Sequence, residues 1–331
     1  MKPPRNFRKA LRSRLLGHPG YSTALDLPLH SPQTEVAVWL HGMGEPRDVT
    51  HCHSVACPMP AFFCISFEKG VPEQSLDSPG VSLHFVERAG QRQVLGKIDL
   101  QYHSTVATSG PELRLYRATD CISTCLPRHR RWIRSLYFAH ERWQARRSGR
   151  PQILSLDNRC NEVVFLCPRP VVLVSLFQAG AGNIFPLNLM GRVGEHHFVF
   201  ALNASKKAGA AVSNHSQFAI STVPFEQAQV VRDMGAHHHQ TSIDFAHLPF
   251  SLHPSPSLGI PVPDFALTVR ELQIESALPL GSHNFFIARI LGTQTQTSAP
   301  EFHRIHGIYA ARRERLSKAY RDSQRAGADG Q

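Results

Sequence analysis

One segment of this 331-residue chain repeats at a fixed distance. Residues 36–67, VAVWLHGMGEPRDVTHCHSVACPMPAFFCISF, lie without a gap on residues 171–202, VVLVSLFQAGAGNIFPLNLMGRVGEHHFVFAL, each residue meeting the one 135 positions later. Apolar β-branched runs fall on apolar runs and turn residues on turn residues, the pattern of two copies of one β-rich unit. A second correspondence joins the ends of the copies: Ile133–Ala139 (IRSLYFA) matches Ile305–Ala311 (IHGIYAA) at a distance of 172, and both are expected to open arginine-rich helices. The two distances differ by 37 residues, so the second copy carries an insertion, expected between Thr222 and Pro263, where histidines and prolines cluster. Such a chain is constrained to two similar β domains.

In the second copy, Val171–Phe177 reads as a strand, 180–183 (GAGN) as a turn, Ile184–Met190 as the returning strand and Gly191–His196 as a polar turn into a strand over Phe198–Leu202. Asn203-Ala-Ser-Lys-Lys207 then opens a short helix expected over 206–215. Two lysines and a hydroxyl beside the free N–H groups of a helix start suit a phosphate.

These residues carry a resemblance. The run Asn183-Ile-Phe-Pro-Leu-Asn188 is followed by Asn203–Lys207, Gln217–Ser221, the histidine-rich His237–Phe250, the Gly/Pro segment Ser257–Pro263 and Gly281-Ser-His-Asn-Phe-Phe-Ile-Ala-Arg289. Over residues 165–295 this ordered succession resembles the flavin reductase-like group of FMN-binding split barrels. The resemblance implies a mainly β fold with flanking helices: tandem split β-barrels (FMN-binding split barrel) joined as an intrachain pseudo-dimer. The expected organisation is a basic N-terminal helix (1–20), a degenerate barrel (30–150), the flavin-binding barrel with its terminal helix (160–322) and a disordered tail (323–331). A monomeric pseudo-dimer or a homodimer is the expected assembly, with the first half forming a wall of the second half's site.

The same resemblance implies FMN as cofactor and NADH or NADPH as reductant, hydride passing from nicotinamide to flavin. Cofactor contacts are expected from Asn183, Phe185, Pro186, Leu187 and Asn188 along the ring edge, from Ser205, Lys206 and Lys207 at the phosphate, and from Ser221. His283 matches the family position facing the exposed ring and is the candidate catalytic residue. Ser282 stands where many relatives carry Asp. A flavin-binding oxidoreductase acting on another small substrate, or a non-catalytic flavin-binding protein, is the alternative. The first copy holds Asp48, His51 and His53 where the second holds Asn183, Pro186 and Asn188, and Glu68-Lys69 offers a phosphate no cationic cradle.

Charge raises a competing function. The formal net charge is +11, which invites nucleic acid or an anionic surface. Much of it sits in residues 1–20, where Phe7, Leu11 and Leu15 follow helical spacing, and in residues 128–150, where eight arginines surround Trp132, Leu136, Phe138 and Trp143. The aromatic stripe of the latter is expected to pack on a barrel, which makes nucleic acid the lesser reading. Seven cysteines without regular spacing and no apolar run long enough to span a bilayer point to a reducing cytoplasm. His51, Cys52, His53 and Cys57 lack the spacing of a zinc site, and no metal is expected.

Overall fold

The computed structural model describes residues 24–70, 80–88, 92–148 and 155–328. The chain is mainly β. After β1 (Ala24–Leu29), the strands β2 (Val36–His41), β3 (Arg47–Asp48), β4 (His53–Pro58), β5 (Ala61–Phe67), β6 (Ser82–Glu87), β7 (Val94–Ala107) and β8 (Glu112–Ser123) form one curled antiparallel sheet. Its order is β3-β2-β6-β7-β8-β5-β4. Helices α1 (Arg128–Arg147) and α2 (Ser155–Val164) lead to the second half. There, after β9 (Arg169–Pro170), come β10 (Val172–Gln178), β11 (Ala181–Leu187), β12 (Met190–Arg192), β13 (His197–Asn203), helix α3 (Lys207–Ser213) and β14 (Gln217–Thr222). Helix α4 (Ala228–Asp233) and the small β15 (Leu252–Pro254) and β16 (Pro261–Pro263) pair precede β17 (Thr268–Leu280), β18 (His283–Thr295), β19 (Glu301–His306) and helix α5 (Gly307–Ala328). The second sheet runs β11-β10-β14-β17-β18-β13-β12.

Strand for strand, the two orders are the same. Moving β2 by 135 residues lands on 171–176, over β10; moving β5 lands on 196–202, over β13; moving β6 lands on β14 itself. The excess length falls between β14 and β17, residues 223–267, where the first sheet has only residues 88–93 between β6 and β7. One detail differs from the sequence expectation. The β10–β11 turn is only Ala179 and Gly180, both at positive φ (51° and 81°), so Gly182 and Asn183 are strand residues. Two consecutive left-handed residues match the twist of a tight hairpin, which a four-residue turn would not.

The barrels share a dry seam. Ala56, Cys57, Phe62 and Cys64 from the first barrel pack with Val199, Ala201, Phe285 and Ile287 from the second, and all are buried. Full burial of each such large side chain is worth about 1.5–3 kcal/mol. At one end Gly281 meets the Met59–Pro60 turn so closely that a Cβ would lie 2.5 Å from Pro60 Cδ. At the other end Gly110 meets His197 in the same way, and Pro111 meets Gly194. The two contacts are related by a pseudo-two-fold, as in an isologous dimer interface.

Elements of the second half also complete the first barrel. Strand β19 pairs with β1 on one side and β9 on the other. Ile305, Ile308, Tyr309 and Ala311 join the first barrel's core, as do Cys160, Val163 and Val164 of α2. Arg312 grips the buried Glu87 carboxylate with two hydrogen bonds (3.1 and 2.6 Å), and Arg313 reaches Glu35 (2.6 Å).

Three expectations about helices need correction. Ile305 belongs to a strand, and α5 starts at Gly307. That helix continues to Ala328, so residues 323–328 are not a tail, while 329–331 and the basic segment 1–20 lie outside the described residues. The described members of the α1 stripe do not pack: Trp132 is 66% exposed, Leu136 51% and Trp143 48%, while the Phe138 side chain lies outside the described residues. The surface that α5 takes on the first barrel, beside Glu35 and Glu87, corresponds 135 residues later to Pro170 and Thr222. Their neighbours Val171 and Val223 are covered in the second barrel by the insertion, through Phe225, Val231, Phe245 and Phe250.

Candidate functional site

Strand alternation divides the residues expected at the flavin. In β11, Asn183, Phe185 and Leu187 face the barrel interior opposite Leu176, Val174 and Val172, while Ile184 and Pro186 face the insertion. Phe185 and Leu187 are therefore core residues, 0% and 5% exposed. Asn183 is fully buried; its amide donates to the carbonyls of His237 (3.1 Å) and Gln240 (2.8 Å), and its Oδ1 has no hydrogen-bond partner. A buried acceptor left unpaired costs about 1–3 kcal/mol.

The insertion reaches β11 through a turn of 3₁₀ helix, Met234–His239. His237 Nδ1–H donates to the Ile184 carbonyl (2.7 Å), and His238 Nε2–H to the Pro186 carbonyl (2.8 Å) with its ring 4.9 Å from Phe185. An edge strand presents such carbonyls unpaired, and the histidines satisfy them. Burial lowers the His238 pKa, favouring the neutral ring. The adjacent His239 turns the other way, and Lys206 Nζ donates to its Nε2 (2.8 Å).

Lys206 stands at a cationic corner. Where β13 ends, Asn203 Oδ1 accepts from the Ser205 backbone N–H (2.9 Å) and hydroxyl (2.6 Å), bending the chain. Lys206 precedes α3, no side chain caps that helix, and Lys207 is exposed on its first residue. N–H groups that no side chain caps and two consecutive lysines thus fall together at the start of this helix. Directly opposite Asn203 in the sheet is His283. Its Nδ1 is hydrogen-bonded to Ser282 Oγ (2.9 Å), and burial pushes its pKa down to about 4, so the ring is neutral near pH 7. The loop before it is fixed from both barrels: Ala204 N–H donates to the Ser282 carbonyl (3.0 Å), and Ser282 N–H to the Met59 carbonyl (2.9 Å).

The fold thus brings His283, Ser205, Lys206 and Lys207 to one edge and ties them to Asn183 and Pro186 through the histidine turn. Ser221 lies on the insertion-facing side, as Pro186 does. It pairs with Leu173 and Val269 on the face under the insertion, opposite to that of Asn183, and its fully buried Oγ has no partner. Asn188 offers its carbonyl to Arg169 Nε (3.3 Å) and borders a cavity of about 420 Å³ shared with Pro186, Leu187, His238, Arg232 and Arg304. Sequence reasoning missed Arg169, Arg232, Arg304 and Met59. The repeat held the signal for Met59, because it aligns the β4–β5 turn with the β12–β13 turn at the seam.

In the first barrel, the residues aligned with Asn183 and Asn188 are engaged locally. Asp48 accepts from Thr50 N–H (2.9 Å) and Arg88 (3.0 Å), and buried His53 is hydrogen-bonded to the Val49 carbonyl (2.7 Å). Among the described residues no three His, Cys, Asp or Glu side chains converge as for a metal ion, and no helix is long and apolar enough to cross a membrane.

Residues 164–313 match the flavin reductase like domain family. No curated protein matches the sequence. Solved structures similar to it include the NADH:FAD oxidoreductase SgcE6 of Streptomyces globisporus (15% identity over 42% of this chain and 82% of that one, TM-score 0.38). They also include an FMN-binding protein from Thermus thermophilus (19%, 39% and 73%, TM-score 0.35). A third is the styrene monooxygenase flavin reductase of Pseudomonas putida (18%, 41% and 87%, TM-score 0.34). The second half of this chain, over residues 164–313, is a flavin reductase-like domain.

Proposed function

We propose that the second barrel binds FMN and that the protein passes hydride from NADH or NADPH to flavin. The observation that carries this reading is the cationic corner of Ser205, Lys206 and Lys207, set beside the neutral His283 within the family-matched segment. A flavin phosphate fits that corner in charge and donor number. At the ring end, Asn183 acts from beneath: fully buried, it holds the histidine turn in place through its amide bonds to the His237 and Gln240 carbonyls. Pro186 and Asn188 border the ring edge, Phe185 and Leu187 support the strand from the core, and Ser221 lies buried on the side of Pro186. Bound flavin supplies a two-electron acceptor. His283, 6% exposed and held uncharged by burial, adds no positive charge at the approach of the nicotinamide. FMN is favoured over FAD because the chain has no Gly-rich dinucleotide fingerprint. The seven free cysteines suit a cytoplasmic setting, and the shared seam suits a monomeric pseudo-dimer.

The test has two parts. Flavin released by denaturation should be FMN by chromatography. Lys206→Ala with Lys207→Ala should weaken FMN by on the order of 1.5–3 kcal/mol per lost charged hydrogen bond, while riboflavin, lacking the phosphate, keeps its affinity. Equal weakening of both ligands overturns the phosphate assignment. NAD(P)H oxidation that rises with added free flavin separates a reductase from a flavoprotein acting on another substrate.

A further inference from the structure

Helix α1 is the element the reading above does not use. From Ser135 to Arg147 every described side chain is exposed; among the described side chains before them, Ile133 packs on the first core and Arg131 donates to the Ser123 carbonyl (3.4 Å). A projecting helix of this length is marginal in water without a partner. Trp132, Leu136 and Trp143 follow one another at four and seven residues and so share one face; the chain has three tryptophans, and two stand here. Around them the helix holds seven arginines and two histidines against one acid, Glu141. Arg147 stacks on the Trp143 ring at 3.9 Å.

We infer that α1 lies on an anionic phospholipid surface, its Trp–Leu stripe entering the headgroup boundary and its arginines meeting lipid phosphates. Charge decides the kind of partner. A second copy would set two strongly basic helices against each other, which repels. Nucleic acid would satisfy the arginines but leave Leu136 and the aligned indole rings without an apolar phase along one stripe. An interfacial helix takes both at once: apolar residues on one face, arginines at the flanks and tryptophan at headgroup depth. Its twenty residues extend about 30 Å, enough to lie along the surface. The geometry concerns α1 alone and is independent of flavin binding.

The full-length protein should float with vesicles containing about one-third phosphatidylserine and not with pure phosphatidylcholine, since each arginine near an anionic surface strengthens binding about fivefold. Its tryptophan emission should shift to the blue on binding. Trp132→Ser with Trp143→Ser should weaken vesicle binding on the order of tenfold or more and abolish the shift, while unfolding and flavin affinity stay as in the parent. Rising salt should release the protein. The inference is overturned if the parent ignores anionic vesicles, or if the double variant binds them equally well. It is also overturned if the tryptophans govern binding to a DNA or RNA oligomer, or self-association in light scattering, without vesicle binding.

Discussion

The pairing of Glu87 with Arg312 tests whether the two halves complete one another. Glu87 is 3% exposed at the end of β6, and the Arg312 side chain is 18% exposed. The guanidinium meets both carboxylate oxygens, Nε to Oε1 at 3.1 Å and Nη2 to Oε2 at 2.6 Å, and the Arg312 pKa is raised by this bond. Replacing Arg312 by methionine keeps an apolar stem against the barrel but strands a buried carboxylate, a loss of about 3–5 kcal/mol. Glu87→Gln in the same background removes the stranded charge and should restore most of that loss. The internal control is Arg313→Met: its partner Glu35 is 24% exposed and Arg313 33%, so water screens the pair and the loss should stay below about 1 kcal/mol. Urea unfolding at pH 7, monitored by far-UV circular dichroism with slopes compared across variants, measures all four proteins. If Arg312→Met costs no more than Arg313→Met, α5 is not seated on the first barrel as described.

Three further outcomes follow from the same structure. Burial holds both His53 and His283 at pKa about 4, below the 6.5 of an exposed imidazole; the unfolded chain therefore takes up protons first as pH falls. Stability should be full above about pH 6.5 and decline towards pH 4 by up to roughly 3 kcal/mol per histidine, and a urea midpoint equal at pH 7 and pH 4.5 would refute this. Gly281→Ala places a Cβ 2.5 Å from Pro60 Cδ and 2.6 Å from the Met59 carbonyl at a φ of 53°, so it should destabilise by about 1–3 kcal/mol and change flavin affinity through the loop that carries His283. Residues 155–331 produced alone lose their partner at the seam and should aggregate or self-pair with altered flavin binding; a monomeric fragment that binds flavin like the parent would contradict the shared wall.

Much of the fold was legible because the repeat fixes strand positions independently of propensity. Moving β6 by 135 residues gives β14 to the residue, and the insertion falls where the two distances required it. What failed were turns and partners. Gly180-Ala-Gly182-Asn183 reads as a turn by composition, yet φ values at Ala179 and Gly180 close it within two residues. Sequence patterning shows that α1 has an apolar stripe but not whether a surface is free to receive it. Ser205–Lys207 and His283 were legible as a motif, and their adjacency through the Asn203 pairing required the sheet. The placement of Ser221 under the insertion, on the side of Pro186, is set by strand parity and the register with Leu173 and Val269, which the sequence alone does not show.

The strand β19 and the start of α5 also govern the order in which this protein matures. A ribosome releases the N-terminal half first, but its core lacks Ile305, Ile308, Tyr309 and Ala311, and the edge of β1 lacks its neighbour, until residues 301–311 have emerged. The early half must wait with apolar surface open, a period in which a holding chaperone or the nascent second barrel has to shield it. A premature stop before Gly307 would for the same reason damage the half already synthesised as much as the half it truncates.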